Sequence, residues 1–188
     1  QAGILSPAKS GTFTPAATSN VSNIVGAVSA QTPPVEKPLI AHWTFDEDGV
    51  IRNDSQAGRE QVEVTGAAGR SAGIYGKALE LSDRHALKAA GKIFPENLSR
   101  ISISAWVLPV ELDSYKEILR QECEHRILFS FQHNGSILSL GLNLAGYVEC
   151  DAQIREEDVL DGAWHHCAGT FDGTTMRVTG GEAEGEGR

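Results

Sequence analysis

The sequence predicts an all-β protein built as an antiparallel β-sandwich. Three observations carry this. Apolar residues recur with a period of two through most of the chain, an Asn-Gly pair joins two such runs, and helical periodicity never lasts beyond a turn or two. The pattern divides the chain into a flexible linker or tail at 1–38, a domain at 39–179 and a disordered Gly/Glu tail at 180–188.

Residues 1–38 hold five of the seven prolines, nine Ser or Thr, and only Lys9, Glu36 and Lys37 as charges. Such a segment buries too little apolar surface to offset its ordering entropy. "AVSAQ" (27–31) resembles a signal-peptide cleavage site, but no basic n-region precedes it. The domain opens with "LIAHWTF" (39–45), where Leu39, Ala41, Trp43 and Phe45 alternate onto one face. "SDRHALKAAGKI" (82–93) suggests a turn or two of helix. "ISISAWVL" (101–108) is a strand with Ile101, Ile103, Ala105 and Val107 on one face; Ser102, Ser104, Trp106 and Leu108 take the other.

In "RILFSFQHNGSILSLGL" (126–142), Asn134-Gly135 predicts a two-residue type I′ hairpin turn, which needs positive φ at both positions. The turn sets His133 opposite Ser136, Phe131 opposite Leu138, Phe129 opposite Leu140 and Ile127 opposite Leu142. "IREEDVLDG" (154–162) fits a single helical turn. The C-terminal "GGEAEGEGR" is too acidic and Gly-rich to be expected in a packed element.

Composition excludes several classes. A net charge of −9 opposes a nucleic-acid partner, which needs a basic surface. It also opposes anionic membranes, and no apolar run approaches a membrane span. Cys123, Cys150 and Cys167 match no zinc spacing. The sequons at Asn20, Asn53, Asn97 and Asn134 matter only in a glycosylating secretory pathway.

"LIAHWTFDE" (39–47), "GIYGKALEL" (73–81), "LSRISISAWVLP" (98–109) and "DGAWHHCAGTFDGTTMRV" (161–178) resemble, in order and spacing, the laminin-G-like jelly rolls of the concanavalin A-like lectin and glucanase fold. The resemblance implies two packed antiparallel sheets and a secreted or cell-surface setting, as in an exported bacterial protein. It implies a non-catalytic binding or adhesion module, with a glycan or an extracellular protein as partner. A glycoside hydrolase or polysaccharide lyase of the same fold, and a ligand-free structural spacer, are the alternatives. Relatives continue past "TFDGTTMRV" with further strands. Here the pattern ends at Val178, so the expectation is a jelly roll lacking its C-terminal strands, in a fragment of a longer protein.

"DGAWHHCAGTFDG" (161–173) invites a metal or catalytic reading. In a strand, however, His165 and His166 point to opposite faces. His165 and Cys167 share a face but lack an orienting third group, so Cys167 is expected to be a small buried hydrophobe. No catalytic residue is assigned. "GRSAG" (69–73) matches a nucleophile-elbow pattern without the strand-to-helix turn that motif requires. Glu111 and Asp113 stand at alternate positions, as paired glycosidase carboxylates do, but in a stretch that reads as a turn.

The resemblance also implies a structural Ca²⁺ held by loops beside early and late strands, which makes Asp46, Asp54 and Asp172 the candidate ligands. Ordinary turn aspartates are the competing explanation and are somewhat favoured. For a sugar, an exposed aromatic with polar neighbours is needed. Trp106, Tyr115 and Gln132 are the candidates, unless Trp106 packs beneath a loop or against the second sheet.

Overall fold

The structure is a computed structural model that describes residues 39–48, 51–55, 61–65, 68–82, 86–89, 93–94, 99–122, 126–180 and 183–187. The 1–38 segment, the sequons at Asn20 and Asn97, and Cys123 lie outside the described residues.

The protein is mostly β with antiparallel sheets. The early strands are β1 (Ile51–Arg52), β2 (Gln61–Thr65), β3 (Gly69–Ala72), β4 (Lys77–Glu80) and β5 (Ala86–Ala89). They form a three-stranded sheet in the order β1-β2-β5 and a β3-β4 hairpin. Ser71 of the "GRSAG" stretch therefore lies within a strand, with no elbow to expose it.

Two expectations fail in this half. Residues 86–89 are a strand rather than a helical turn, because their backbone pairs with β2. Residues 39–48 contain no strand. Phe45 at φ 63° breaks the extended run. Backbone groups of this segment bond instead to Asn53, whose Oδ1 accepts from the His42 amide at 2.9 Å and whose Nδ2 donates to the Ile40 carbonyl at 3.1 Å. A side chain thus replaces the ladder.

The later strands are β6 (Ile101–Val107), β7 (Tyr115–Gln121), β8 (Ile127–Gln132), β9 (Ile137–Asn143) and β10 (Tyr147–Gln153). One turn of helix, α1 (Glu156–Val159), precedes β11 (His165–Phe171), β12 (Met176–Gly180) and β13 (Ala183–Gly187). They build two four-stranded sheets, β10-β9-β8-β7 and β13-β12-β11-β6. Strand β10 packs on β12 and β13, and β9 packs on β11 and β12.

The Gly/Glu segment is thus not an unpacked tail. Residues 183–187 pair with β12 from Gly180↔Ala183 to Met176↔Gly187. Main-chain hydrogen bonds do not require apolar side chains, so low β-propensity did not prevent pairing. The β pattern accordingly runs past Val178.

The 126–142 hairpin has the predicted register, Phe131↔Leu138, Phe129↔Leu140 and Ile127↔Leu142. All six side chains are buried. Asn134 and Gly135 take φ 56° and 82°, as a type I′ turn requires. His133 is also left-handed, at φ 50°. Its carbonyl accepts from Ser136 twice, from the amide at 3.3 Å and from Oγ at 2.9 Å.

The apolar faces of the two four-stranded sheets share one core. Phe129, Leu138, Leu140, Cys150 and Ala152 meet Ile101, Ile103, Cys167, Met176 and Val178 there. Large residues on one sheet face small ones on the other. A Cβ at Gly169 would lie 3.2 Å from Leu140 Cδ2, and one at Gly180 would lie 2.5 Å from Leu138 Cδ2. These glycines let the sheets close to packing distance.

Candidate ligand-binding face

The outward face of β7–β10 is polar, as strand alternation requires once Phe129, Phe131, Leu138 and Leu140 turn inward. Its floor is made of small residues. Ser130 on β8 pairs with Ser139 on β9, and Ser139 pairs with Asp151 on β10. Both serines are fully buried despite facing away from the core. Gly141 completes the floor opposite Glu149.

Longer side chains form a roof. Gln132 Nε2 donates to Ser130 Oγ and to Glu149 Oε1, both at 3.4 Å. Gln132 belongs to the Ile137 row and Glu149 to the Gly141 row, so their bond crosses β9 at the intervening residue, Ser139. Tyr147 Oη donates to Glu149 Oε1 at 2.9 Å. A Cβ at Gly141 would overlap the Tyr147 hydroxyl, so only glycine fits beneath it. The Arg126 guanidinium stacks on the Tyr147 ring at 4.8 Å. Burial, followed by the bond to Glu149, pushes the Tyr147 phenol up to about 12, which keeps it a donor throughout the physiological range.

Two buried atoms in this arrangement make no hydrogen bond, and one of them, Arg126 Nε, is in an ion pair with Glu122 at 3.6 Å. Ser139 Oγ is buried and makes no hydrogen bond. Native proteins seldom leave a buried hydroxyl unpaired without a reason. The two 3.4 Å bonds of Gln132 are at the weak end of the range and are easily exchanged.

Tyr115 pairs with Gln132 and is 60% exposed at the edge of the same face. Beside it is a shallow depression of about 240 Å³ lined by Ser114, Tyr115, His133 and Asn134. Trp106 is elsewhere. It lies on the outward side of the other sheet, paired with His166, their rings 5.0 Å apart and tilted by 55°. Its 46% exposure removes the expectation that it packs beneath a loop. The structure therefore brings Tyr115 and Gln132 together and leaves Trp106 on a different sheet. Sequence reasoning missed Tyr147, Glu149 and Arg126. "YVECDAQ" carries a period-two signal, but only cross-strand register brings its acids to Gln132 and Ser139.

Each of the aspartates proposed for calcium has its own local surroundings. Asp46 Oδ1 accepts from the Lys77 amide at 2.7 Å. Asp172 Oδ1 accepts from the Thr174 and Thr175 amides at 2.9 Å each, and Oδ2 meets Arg177 at 3.3 Å. Asp54 is exposed, with its amide bonded to the His42 carbonyl. Among the described residues no three His, Cys, Asp or Glu side chains gather as a metal site. Calcium needs six to eight oxygens, and Asp172 engages one of its two in a turn and the other with Arg177.

The 161–173 stretch is structural. His165, Cys167, Gly169 and Phe171 face Val107, Ala105, Ile103 and Ile101 in register, on the core side. Burial pushes the Cys167 thiol up to about 11, the opposite of what a nucleophile needs. His165 Nε2 lies 2.9 Å from Asp161 Oδ1, which also accepts from the Ala163 amide at 2.8 Å. Glu111 and Asp113 both pair with Lys116, at 3.4 and 3.3 Å, as surface loop acids.

Backbone amides and then His165 lower Asp161, while the Thr175 and Thr174 amides lower Asp172. Carboxyls lowered on folding contribute stability above their unfolded pKa and lose it as pH falls through the folded value. The stability of the Asp161→Asn/Asp172→Asn variant is therefore expected to depend less on pH below about pH 4 than that of the parent. Melting curves between neutral and acid pH check this, and an unchanged acid slope would refute it.

Neither a curated protein nor a solved structure matches the chain significantly. A family model does match, over residues 82–179, just over half the chain. It spans β5 through nearly all of β12, and with it the whole polar face described above. The chain belongs to that family, a laminin G family of the concanavalin A-like lectin/glucanases superfamily.

Proposed function

We propose that this protein is a non-catalytic glycan-binding module, and that the outward face of β7–β10 is its binding surface. The carrying observation is the buried, unpartnered Ser139 hydroxyl beneath side chains joined by weak bonds. A sugar hydroxyl can replace the bridge between Gln132 and Glu149 and also satisfy Ser139, so the ligand gains bonds that the free protein lacks. Tyr115 and Tyr147 supply amphipathic rings toward opposite corners of the face. At ~4.8 Å between strands and ~3.3 Å per residue, those corners, three strands and six residues apart, are separated by about 24 Å, which suits an oligosaccharide better than a single sugar. The family resemblance adds an exported setting, with the glycan on a cell or matrix surface.

The test is a glycan array followed by calorimetry on the best ligand. Ser139→Ala removes a hydroxyl that bonds to nothing, so melting should stay the same or rise while affinity falls by about tenfold. Tyr147→Phe should also weaken binding, and Trp106→Ala should not. Ligands whose affinity depends on Trp106 and ignores Ser139 would overturn the assignment.

A second reading rests on Glu149 and Asp151, which alternate on the outward face of β10 as the carboxylates of glycoside hydrolases do. It predicts new reducing ends from a bound oligosaccharide, abolished by Glu149→Gln. Intact ligand after prolonged incubation would rule it out.

A further inference from the structure

Charge on this face is unevenly compensated. Arg120 is clamped by Glu117 and Glu122. Arg126, stacked on Tyr147, lies 3.6 Å from the same Glu122. Both guanidinium groups are thus engaged by Glu117 and Glu122. Among the described residues Glu149 receives only neutral donors, the Tyr147 hydroxyl and the Gln132 amide. Asp151, two residues later on the same strand face, forms no ion pair among the described residues. Asp151 stands directly opposite Ser139, and Glu149 is one row along, opposite Gly141. The orphaned, fully buried Ser139 hydroxyl belongs to the floor beneath this face.

We infer that this face selects amino sugars, with a protonated sugar amine lying between Glu149 and Asp151 and an adjacent hydroxyl bonding to Ser139 Oγ. The inference rests on the glycan-binding reading given above. An ammonium offers three N–H donors, enough for both carboxylates and one further acceptor. Charge-assisted bonds of this kind are shorter and stronger than those a neutral sugar can make. The net charge of −9 also draws a cationic oligosaccharide toward the protein and repels sulfated or carboxylated ones. The buried Ser139 hydroxyl, unbonded in the free protein, is the group that the neighbouring sugar hydroxyl would satisfy.

The experiment titrates the full chain with three probes in a calorimeter. They are glucosamine oligomers, their fully N-acetylated counterparts and heparin-derived oligosaccharides. The expected result is that the glucosamine oligomer binds about tenfold more tightly than the acetylated one and that heparin fragments do not bind. Glu149→Gln/Asp151→Asn should erase the preference without changing the melting temperature. Glu156→Gln/Glu157→Gln, which removes the same charge from α1, should retain it. Equal binding of amino and acetylated oligomers would overturn the inference and leave the glycan reading intact. A preference lost equally in the α1 variant would overturn it as bulk charge attraction. Absence of binding by all three probes would overturn the inference, while glycan-array binding of another class would keep the broader reading and an empty array would remove that as well.

Discussion

Phe129→Ala is expected to cost about 3–5 kcal/mol, because the ring is fully buried and its removal leaves a cavity between two sheets. Phe129 lies opposite Leu140 in the central hairpin, and Leu140 reaches across to Gly169 of the other sheet. The neighbours cannot collapse into the space without moving a strand. Domains of this size hold about 5–15 kcal/mol in total, so the variant should unfold at a much lower urea concentration. A loss below about 1 kcal/mol would mean that the hairpin is not the centre of the core.

Gly135→Val should cost about 2–5 kcal/mol, for two separable reasons. At φ 82° the position is left-handed, which a β-branched residue resists. A Cβ there would also lie 2.6 Å from Leu112 Cδ1, the buried anchor of the β6–β7 connection. Gly135→Asn relieves much of the first penalty but none of the second. Combining Gly135→Ala with Leu112→Ala should relieve only part of the second, since the Leu112 Cβ would remain 2.7 Å from the new Cβ, and should leave the first. Denaturant midpoints of the single and double variants check the coupling, and purely additive losses would show that the Leu112 contact contributes nothing.

These predictions concern the part of the fold that the sequence announced most clearly. The hairpin was legible because two independent signals agreed. Asn134-Gly135 fixed the register, and that register placed Phe129, Phe131, Leu138 and Leu140 on one side. The β11 assignment was legible for a similar reason, since period two alone puts His165 with Cys167 and parts it from His166.

Other elements depended on information that periodicity does not carry. Residues 183–187 have no apolar face, and they became a strand through backbone pairing. Residues 39–45 alternate well, yet Phe45 turns left-handed and Asn53 takes the backbone bonds a neighbouring strand would have taken. The candidate site was half visible. Gln132 and Tyr115 stand out as polar and aromatic residues near a turn, but their partners Glu149 and Tyr147 are set by the β8–β9–β10 register. Trp106 was grouped with them because nothing local reveals that β6 belongs to the opposite sheet. The aspartates looked like metal ligands for the same chemical reason that they make good turn residues, their compact pair of oxygen acceptors.

The central claim is that the outward face of β7–β10, and not the Trp106 face, meets a glycan. The most direct measurement is backbone and indole NMR during titration with an oligosaccharide selected from the array. The amides of Ser130, Ser139, Gly141 and Glu149 should shift together along one binding curve while the Trp106 indole and His166 stay fixed. Shifts centred on Trp106 and His166, with Ser139 and Gly141 unmoved, would contradict the claim.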